Sequence, residues 1–130
     1  MPMSAVKNLI FVVEDDNFFL EVVTDDLSEN EAYAVRGFSS AEECLDNLHE
    51  GPSVVVLDFY LDKDNPDAMN GMEALEKINV ARPETKVIML SGQDSLDVAG
   101  TLLDKGAFDY VIKDSDAVKI LQKKIEKALQ

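Results

Sequence analysis

Short apolar runs recur along the chain, and most of them stop abruptly at a polar or charged residue. Three are continuous and of strand length, at 9–13, 54–57 and 87–90, and a fourth, 107–112, contains Phe108, Tyr110 and Val111. A fifth run, 33–38, is more polar, which places it nearer a sheet edge. Runs without polar alternation are typical of strands covered on both faces, as in parallel sheets.

Apolar residues spaced three or four apart lie between these runs and predict five helices, each with one buried stripe. The stripes are Phe19, Val22, Val23 and Leu27; Ala41, Cys44, Leu45 and Leu48; Met72, Leu75 and Ile78; Leu96, Ala99 and Leu103; and Val118, Leu121, Ile125 and Ala128. Ser39 or Ser40 is expected to cap the second helix, and Asp94 or Ser95 the fourth. The Gly-Pro pair at 51–52 is expected to end the second helix.

This strict alternation of strand and helix predicts one domain over residues 1–130, in the α/β class. The architecture is a doubly wound five-stranded parallel sheet, (βα)5, with right-handed crossovers and helices on both faces. Ligands of such sheets bind beyond the carboxyl ends of the strands, near the point where strand order reverses.

Composition and net charge exclude several classes of protein. The chain has 130 residues, of which 46% are hydrophobic, and 26 Asp and Glu outnumber 12 Lys and Arg to give a net charge of −14. A core of this size argues against disorder, and the charge argues against direct binding to nucleic acid or to an anionic membrane surface. No apolar run approaches the ~20 residues of a membrane span. The lone Cys44 fits a reducing compartment, so we expect a cytoplasmic protein.

Polar side chains follow four of the five predicted strands: Glu14 and Asp15, Asp58, Ser91, and Lys113. Because carboxyl ends of parallel strands meet at one edge, these acids would repel one another unless a cation lay among them. Oxygen ligands suit a hard divalent ion, and Mg²⁺ is the one expected inside a cell. Asp58 could then be a nucleophile that forms an acyl phosphate, with Mg²⁺, Ser91 and Lys113 neutralising the phosphoryl oxygens.

Four segments, in this order and spacing, resemble the response-regulator receiver domain, the phosphoacceptor module of two-component signalling. They are FVVEDD at 11–16, VVLD at 55–58, VIMLSG at 87–92 and DYVIK at 109–113. The resemblance implies a flavodoxin-like fold similar to that of the chemotaxis receivers, with strand order 2-1-3-4-5. It also implies a signalling switch rather than a metabolic enzyme.

The same resemblance implies the roles of individual residues at the site. Asp58 would accept the phosphoryl group from a histidine kinase or a phosphotransfer protein, and Lys113 would contact that group. Asp15, Asp58 and the backbone carbonyl of Tyr60 would bind Mg²⁺ directly, and Glu14 would act through water.

The output of such a domain is a change of surface. By resemblance, Ser91 would turn toward the phosphoryl group and Tyr110 would follow inward as the second member of a switch pair. The surface of helix 4, strand 5 and helix 5 would then bind a downstream effector protein or output domain, or form a homodimer. Four lysines on the last helix are either a solvated face or half of that surface: Lys119, Lys123, Lys124 and Lys127.

The connection after the phosphoacceptor departs from the family pattern. Residues 59–70 separate Asp58 from Gly71, about five residues more than is usual in receivers. We expect this loop to overhang the site and to slow access of the phosphodonor or discriminate between partners. The loop carries three acidic residues, which either are simply solvated or help to discriminate between partners: Asp62, Asp64 and Asp67.

Two further departures lie beside the site. Lys113 is followed by Asp114, where receivers have a cis proline, so this peptide is either trans or a strained cis bond. Tyr60 places a bulky ring two residues after Asp58, which could change the lifetime of the phosphorylated state. Tyr60 also disfavours an aspartyl-phosphate phosphatase, which needs an acid there. The alternative left open is a pseudo-receiver that acts as an interaction module without phosphate, and Mg²⁺ affinity would discriminate between the two.

Overall fold

The computed structural model describes residues 7–61, 65–92 and 96–130 and shows five strands alternating with five α-helices. The strands are β1 (Asn8–Val13), β2 (Tyr33–Phe38), β3 (Val54–Asp58), β4 (Lys86–Ser91) and β5 (Asp109–Ile112). The helices are α1 (Asn17–Ser28), α2 (Ala41–Asp46), α3 (Gly71–Ala81), α4 (Leu96–Asp104) and α5 (Ala117–Ala128). Every predicted strand and helix is therefore present.

The strands form one parallel sheet in the order β2-β1-β3-β4-β5. This confirms the predicted doubly wound α/β fold and its strand order. Strand order reverses between β1 and β3, so the site expected at a switch point lies at the carboxyl ends of these two strands. The register brings Val13 beside Leu57 and Asp58 beside Leu90.

Apolar cores cover both faces of the sheet, because successive residues of each strand point to opposite sides. Phe11, Leu57 and Met89 belong to the core that packs against α2, α3 and α4. Their neighbours, among them Val56 and Ile88, belong to the core under α1 and α5. Burial on both faces explains why the strand sequences are continuously apolar.

Two predicted helix stripes are partly wrong. On α4 the structure buries Ala99 and Leu102, whereas Leu103 is 43% exposed. Leu102 and Leu103 lie three and four residues after Ala99, so both fit a helical stripe and the spacing alone does not tell which one is buried. On α1, Val22 lies at the edge of the stripe and is 39% exposed. The cap predicted at position 94 or 95 lies outside the described residues.

The second helix ends earlier than predicted. Ser40 is its N-cap and accepts a hydrogen bond from the Glu43 N–H at 3.2 Å, which selects between the two candidate serines. The α-helix stops at Asp46 and continues as a 3₁₀ turn, Leu48–Glu50. Gly51 then reverses the chain with φ of 76°, a left-handed conformation that favours glycine. The Gly-Pro pair thus ends the turn rather than the α-helix itself.

Candidate functional site

Buried polar side chains concentrate at the carboxyl edge of the sheet. Within the described residues four polar or charged residues are buried: Glu14, Asp58, Thr85 and Ser91. Three of them directly follow or end strands β1, β3 and β4 at that edge. Glu14 is 0% and Asp58 1% exposed, although buried acids are rare unless they are paired.

Three carboxylates from two strand ends meet here. One oxygen from each of Glu14, Asp15 and Asp58 lies within 4.8 Å of the others. Pairing of Val13 with Leu57 sets the two strand ends side by side and so brings these acids together. Oxygen donors at this separation fit a hard divalent cation such as Mg²⁺. Glu14 is fully buried, so its carboxylate adds negative charge that a cation at this edge would compensate.

Asp16, the third acid of the run, has a different position and a different role. Its carboxylate caps α1 and accepts hydrogen bonds from the N–H groups of Phe18 and Phe19, at 3.0 and 3.3 Å. Such an N-cap satisfies amide groups that the first helical turn leaves without partners. Two adjacent aspartates, Asp15 and Asp16, are therefore divided between the acidic cluster and the helix cap.

Lys113 reaches the acidic cluster from the end of β5. Its Nζ lies 2.5 Å from Glu14 Oε1 and 3.1 Å from Asp58 Oδ1. The ammonium also lies over the ring of Phe19, 5.3 Å from the centroid, which helps to fix the side chain. The Lys113–Asp114 peptide is trans. Lys113 thus reaches the acidic cluster without a following proline, and its contact with a phosphoryl group stays a prediction.

Burial and proximity shift the acid–base behaviour of this cluster. Burial, followed by the neighbouring Asp58 carboxyl, raises the pKa of Glu14 to about 8, against the weaker opposing effect of Lys113. Burial alone would lower the pKa of Lys113, but its contacts with Glu14 and Asp58 outweigh that effect and the net shift is upward. The ammonium of Lys113 is therefore held in its charged form beside the two buried acids.

Ser91 and Tyr110 lie beside the cluster on the last two strands. Ser91 ends β4 one residue beyond Leu90, the register partner of Asp58, and is 1% exposed. Tyr110 follows the first residue of β5 and is partly buried against the core under α2, α3 and α4. The two residues thus lie on neighbouring strands, and their role as a switch pair stays a prediction.

The backbone after Asp58 is fixed by a close contact that the sequence did not reveal. The Tyr60 N–H donates to Asp58 Oδ1 at 3.2 Å, and the Tyr60 ring packs edge-on against Phe59 while 42% of the residue is exposed. Gly71 donates its N–H to the Phe59 carbonyl at 3.1 Å. A Cβ on Gly71 would lie 2.5 Å from the Asp58 carbonyl oxygen and 2.6 Å from Phe59 Cα. No other residue fits where α3 begins.

The connection between Asp58 and α3 is tied to the neighbouring helix at its far end. The Met69 N–H donates to Glu42 Oε2 in α2 at 3.0 Å, and Asn70 begins α3 with a capping box. Asp67 is exposed on a short turn. Residues 62–64 lie outside the described residues, so the expected overhang of the loop and the positions of two of its acids stay predictions.

Other singled-out residues have ordinary surroundings. Cys44 is 1% exposed, and burial raises the pKa of its thiol to about 12, which agrees with an inert core residue. On α5, Lys124 pairs with Asp109 at 2.8 Å. The three remaining lysines of this helix are exposed: Lys119, Lys123 and Lys127. Their exposure fits both a solvated face and half of a partner-binding surface. None of the described helices has the length and apolarity that crossing a bilayer requires.

Comparisons with a family model and with known proteins agree with one another. The response regulator receiver domain family model matches residues 10–125. A protein-glutamate methylesterase/protein-glutamine glutaminase of Bacillus licheniformis is 33% identical over 85% of this chain, which spans 30% of that protein's length. Chemotaxis protein CheY of Listeria monocytogenes is 31% identical over 95% of this chain and 85% of its own.

Solved structures agree with the sequence comparison. The crystal structure of a response regulator receiver domain protein from Clostridium thermocellum matches with a TM-score of 0.81 and 29% identity over 94% of each chain. Receiver domains bind Mg²⁺ in an acidic pocket, and this chain has an acidic cluster of Glu14, Asp15 and Asp58. They interact with histidine kinases and with effector or output domains and are not metabolic enzymes. By sequence and by fold, this chain belongs to the response regulator receiver domains of two-component systems.

Proposed function

We propose that Asp58 accepts a phosphoryl group from a histidine kinase or a phosphotransfer protein, with Mg²⁺ as cofactor. The observation that carries this proposal is the environment of Asp58. It is buried at a strand end, within 4.8 Å of two further carboxylates and 3.1 Å from the Lys113 ammonium. Buried acids placed side by side with one cation are costly for stability, and such arrangements concentrate at functional sites.

The metal would be held by Asp15, Asp58 and the backbone carbonyl of Tyr60, with Glu14 acting through water. The hydrogen bond from the Tyr60 N–H to Asp58 supports this set, because it holds the backbone of Tyr60 against the carboxylate. When bound, Mg²⁺ supplies positive charge to the phosphoryl oxygens. Asp16 is left out of this set because it caps α1.

Phosphoryl transfer would proceed by attack of an Asp58 carboxylate oxygen on phosphorus. The new O–P bond forms as the P–N bond to the donor imidazole breaks, and the electron pair of that bond stays on the imidazole nitrogen. Lys113 and Ser91 would donate to the phosphoryl oxygens. The 3.1 Å contact between Lys113 Nζ and Asp58 Oδ1 places this ammonium where a group carried on Asp58 would be within its reach.

The signal would leave through the surface of α4, β5 and α5. Ser91 would turn toward the phosphoryl group and Tyr110 would move inward, which changes the surface that an effector protein or output domain binds. A homodimer through the same surface is a second form of that output. The position of Tyr110 supports this role, because its side chain is only partly buried against the core that it borders and an inward movement would bury it further.

The domain would act as one unit over residues 1–130, in the cytoplasm, as a switch rather than a metabolic enzyme. Helix α5 packs Leu121 and Ile125 into the core and so belongs to the same body as the site. The inert Cys44 thiol agrees with a reducing compartment.

The experiment is phosphorylation by acetyl phosphate with and without Mg²⁺, followed by intact-protein mass. Wild-type protein is expected to gain one phosphoryl group only when Mg²⁺ is present, and Asp58→Asn to gain none. Asp67→Asn removes an exposed acid of the adjacent loop and serves as the matched control, which should behave as wild type. Equal incorporation by wild type and Asp58→Asn would contradict the proposal.

A second candidate is an interaction module that works without phosphate. The observation in its favour is that Lys113 contacts both buried acids, so the ammonium compensates their charge without a metal. This candidate predicts that Mg²⁺ causes no change in the intrinsic fluorescence spectrum of the protein. Saturable Mg²⁺ binding would exclude it.

A further inference from the structure

A cavity of about 420 Å³ lies between the carboxyl-terminal ends of α2 and α3. These helices run back from the carboxyl edge of the sheet, so their ends lie near its amino edge, opposite Asp58. Apolar and basic side chains line it: Leu45, Leu48, His49, Lys77, Ala81 and Arg82. We call this region the α2–α3 pocket.

The charge of this pocket is opposite to that of the molecule. Its lining contains no acidic residue among the described residues, although the chain carries a net charge of −14. A cavity of about 340 Å³ beside α1 and α5, by contrast, is lined by Asp26, Glu29 and Glu126. The α2–α3 pocket is therefore a local basic site on an acidic protein, and long-range repulsion would keep acidic ligands away from most other surfaces.

Both cations of the pocket have capacity for a further partner. In the described part of the chain Lys77 is exposed and makes no ion pair. Arg82 contacts Glu84 through Nη2 at 3.1 Å, but Glu84 is 66% exposed at its side chain, where such pairs contribute little. Arg82 Nε is buried without a hydrogen-bond partner within the described residues. A guanidinium in this condition favours a carboxylate, which can accept two parallel N–H groups.

The apolar part of the pocket indicates what accompanies the negative charge. Leu48 is 4% exposed at its base, and Leu45 and Ala81 border it. An inorganic anion would leave this surface wet, whereas a peptide side chain would cover it. The open groove between two helix ends is also the shape in which an apolar side chain from a partner segment docks.

We infer that the α2–α3 pocket binds an acidic segment of a partner protein. An apolar side chain of that segment covers Leu45 and Ala81 above the buried Leu48, and its carboxylates pair with Lys77 and Arg82. Charge complementarity carries this choice of partner, because the pocket is basic while its surroundings are acidic. This surface lies away from the phosphoacceptor edge, so it is independent of the proposed phosphorylation.

The test uses a designed helical peptide of leucine, alanine and glutamate as the probe, titrated into the full ¹⁵N-labelled chain and followed by NMR. We expect saturable shifts confined to 45–50 and 77–82. Lys77→Glu should weaken binding at least tenfold. Lys119→Glu, which makes the same charge change at an exposed position on α5, should leave affinity within twofold. A peptide with glutamine in place of glutamate should bind at least tenfold more weakly.

Four outcomes would overturn the proposal. They are shifts on the lysines of α5 in place of the pocket, equal affinity of the Lys77→Glu and Lys119→Glu variants, unchanged binding of the glutamine peptide, and absence of saturable binding at millimolar peptide. Concentration-dependent shifts of 45–50 and 77–82 without peptide would assign the pocket to a second copy of this chain and would likewise overturn it.

Discussion

The buried polar groups at the two edges of the sheet have different kinds of partner. At the amino edge, the buried Thr85 donates its hydroxyl to the Pro52 carbonyl at 2.8 Å. At the carboxyl edge, Glu14 and Asp58 are buried side by side and share the ammonium of Lys113. The amino edge pairs one hydroxyl with one backbone carbonyl, whereas the carboxyl edge places two buried acids beside one cation.

This difference separates a structural polar group from a functional one. A buried hydroxyl with a backbone partner stabilises the turn that it joins and needs no ligand. Adjacent buried carboxylates are destabilising unless a cation compensates their charge, and such costly arrangements concentrate at functional sites. Acidic residues are abundant in this chain, with 26 in total, so burial rather than residue type identifies the two that matter most.

The largest effect on stability is expected at Gly71, where α3 meets the backbone of the carboxyl edge. In Gly71→Ala the new Cβ would meet backbone atoms of Asp58 and Phe59 at 2.5 to 2.8 Å, so we expect a loss of about 3 kcal/mol or more. Gly100→Ala is the control, because its Cβ meets nothing within 4 Å and should stabilise α4 by about 0.5–1 kcal/mol. Urea unfolding measures both, and equal effects would contradict the close approach.

The next effect is expected on Mg²⁺ affinity and distinguishes the two adjacent aspartates, Asp15 and Asp16. Asp15→Asn is expected to weaken Mg²⁺ binding by about 10- to 100-fold, because it removes a charged oxygen from the acidic cluster. Asp16→Asn makes the same charge change one residue away and should alter affinity little, since asparagine is an equally good N-cap for α1. Isothermal titration with Mg²⁺ compares them. Equal losses would show that only net charge matters at this edge.

A substitution at the amino edge should affect stability alone. Thr85→Val keeps the shape of the side chain but leaves the Pro52 carbonyl without its partner, so we expect a loss of about 1–2 kcal/mol. Mg²⁺ affinity should not change. A variant that lost Mg²⁺ binding as well would show that the two edges are coupled, and the comparison between them would fail.

A further effect concerns how stability depends on pH when no metal is bound. Because the pKa of Glu14 is raised from 4.5 to about 8, the folded protein binds more protons than the unfolded chain between these values. The free energy of unfolding should therefore fall as pH rises from about 4.5 to about 8 and level off above that range. Glu14→Gln should flatten this slope. Thermal unfolding across the range, without Mg²⁺, measures both proteins, and identical slopes would contradict the assignment to Glu14.

Most of the fold could be predicted because burial on both faces leaves a strong signal. Strands such as Val54–Asp58 are apolar at nearly every position, and helices carry one stripe each. Prediction failed where two local patterns were equally good, as at Leu102 and Leu103. Hydrophobic spacing alone cannot decide between i+3 and i+4 when both positions are apolar.

The site could be predicted in its members but not in its contacts. The rule that parallel strands end at one edge brought Glu14, Asp58 and Lys113 together before any distance was known. The close approach of Gly71 was not predicted, since it depends on the path of a connection of unusual length. The division between Asp15 and Asp16 also needed the helix start. These features arise from backbone geometry, which residue type alone does not specify.

The central claim is that Asp58 carries the phosphoryl group, and trapping that group tests it most directly. After acetyl phosphate and Mg²⁺, borohydride reduces an acyl phosphate to an alcohol, and peptide mass mapping identifies the residue that was reduced. The account predicts reduction at position 58, dependent on both Mg²⁺ and acetyl phosphate. Reduction at another acid, or none under conditions in which the protein gains a phosphoryl group, would contradict it.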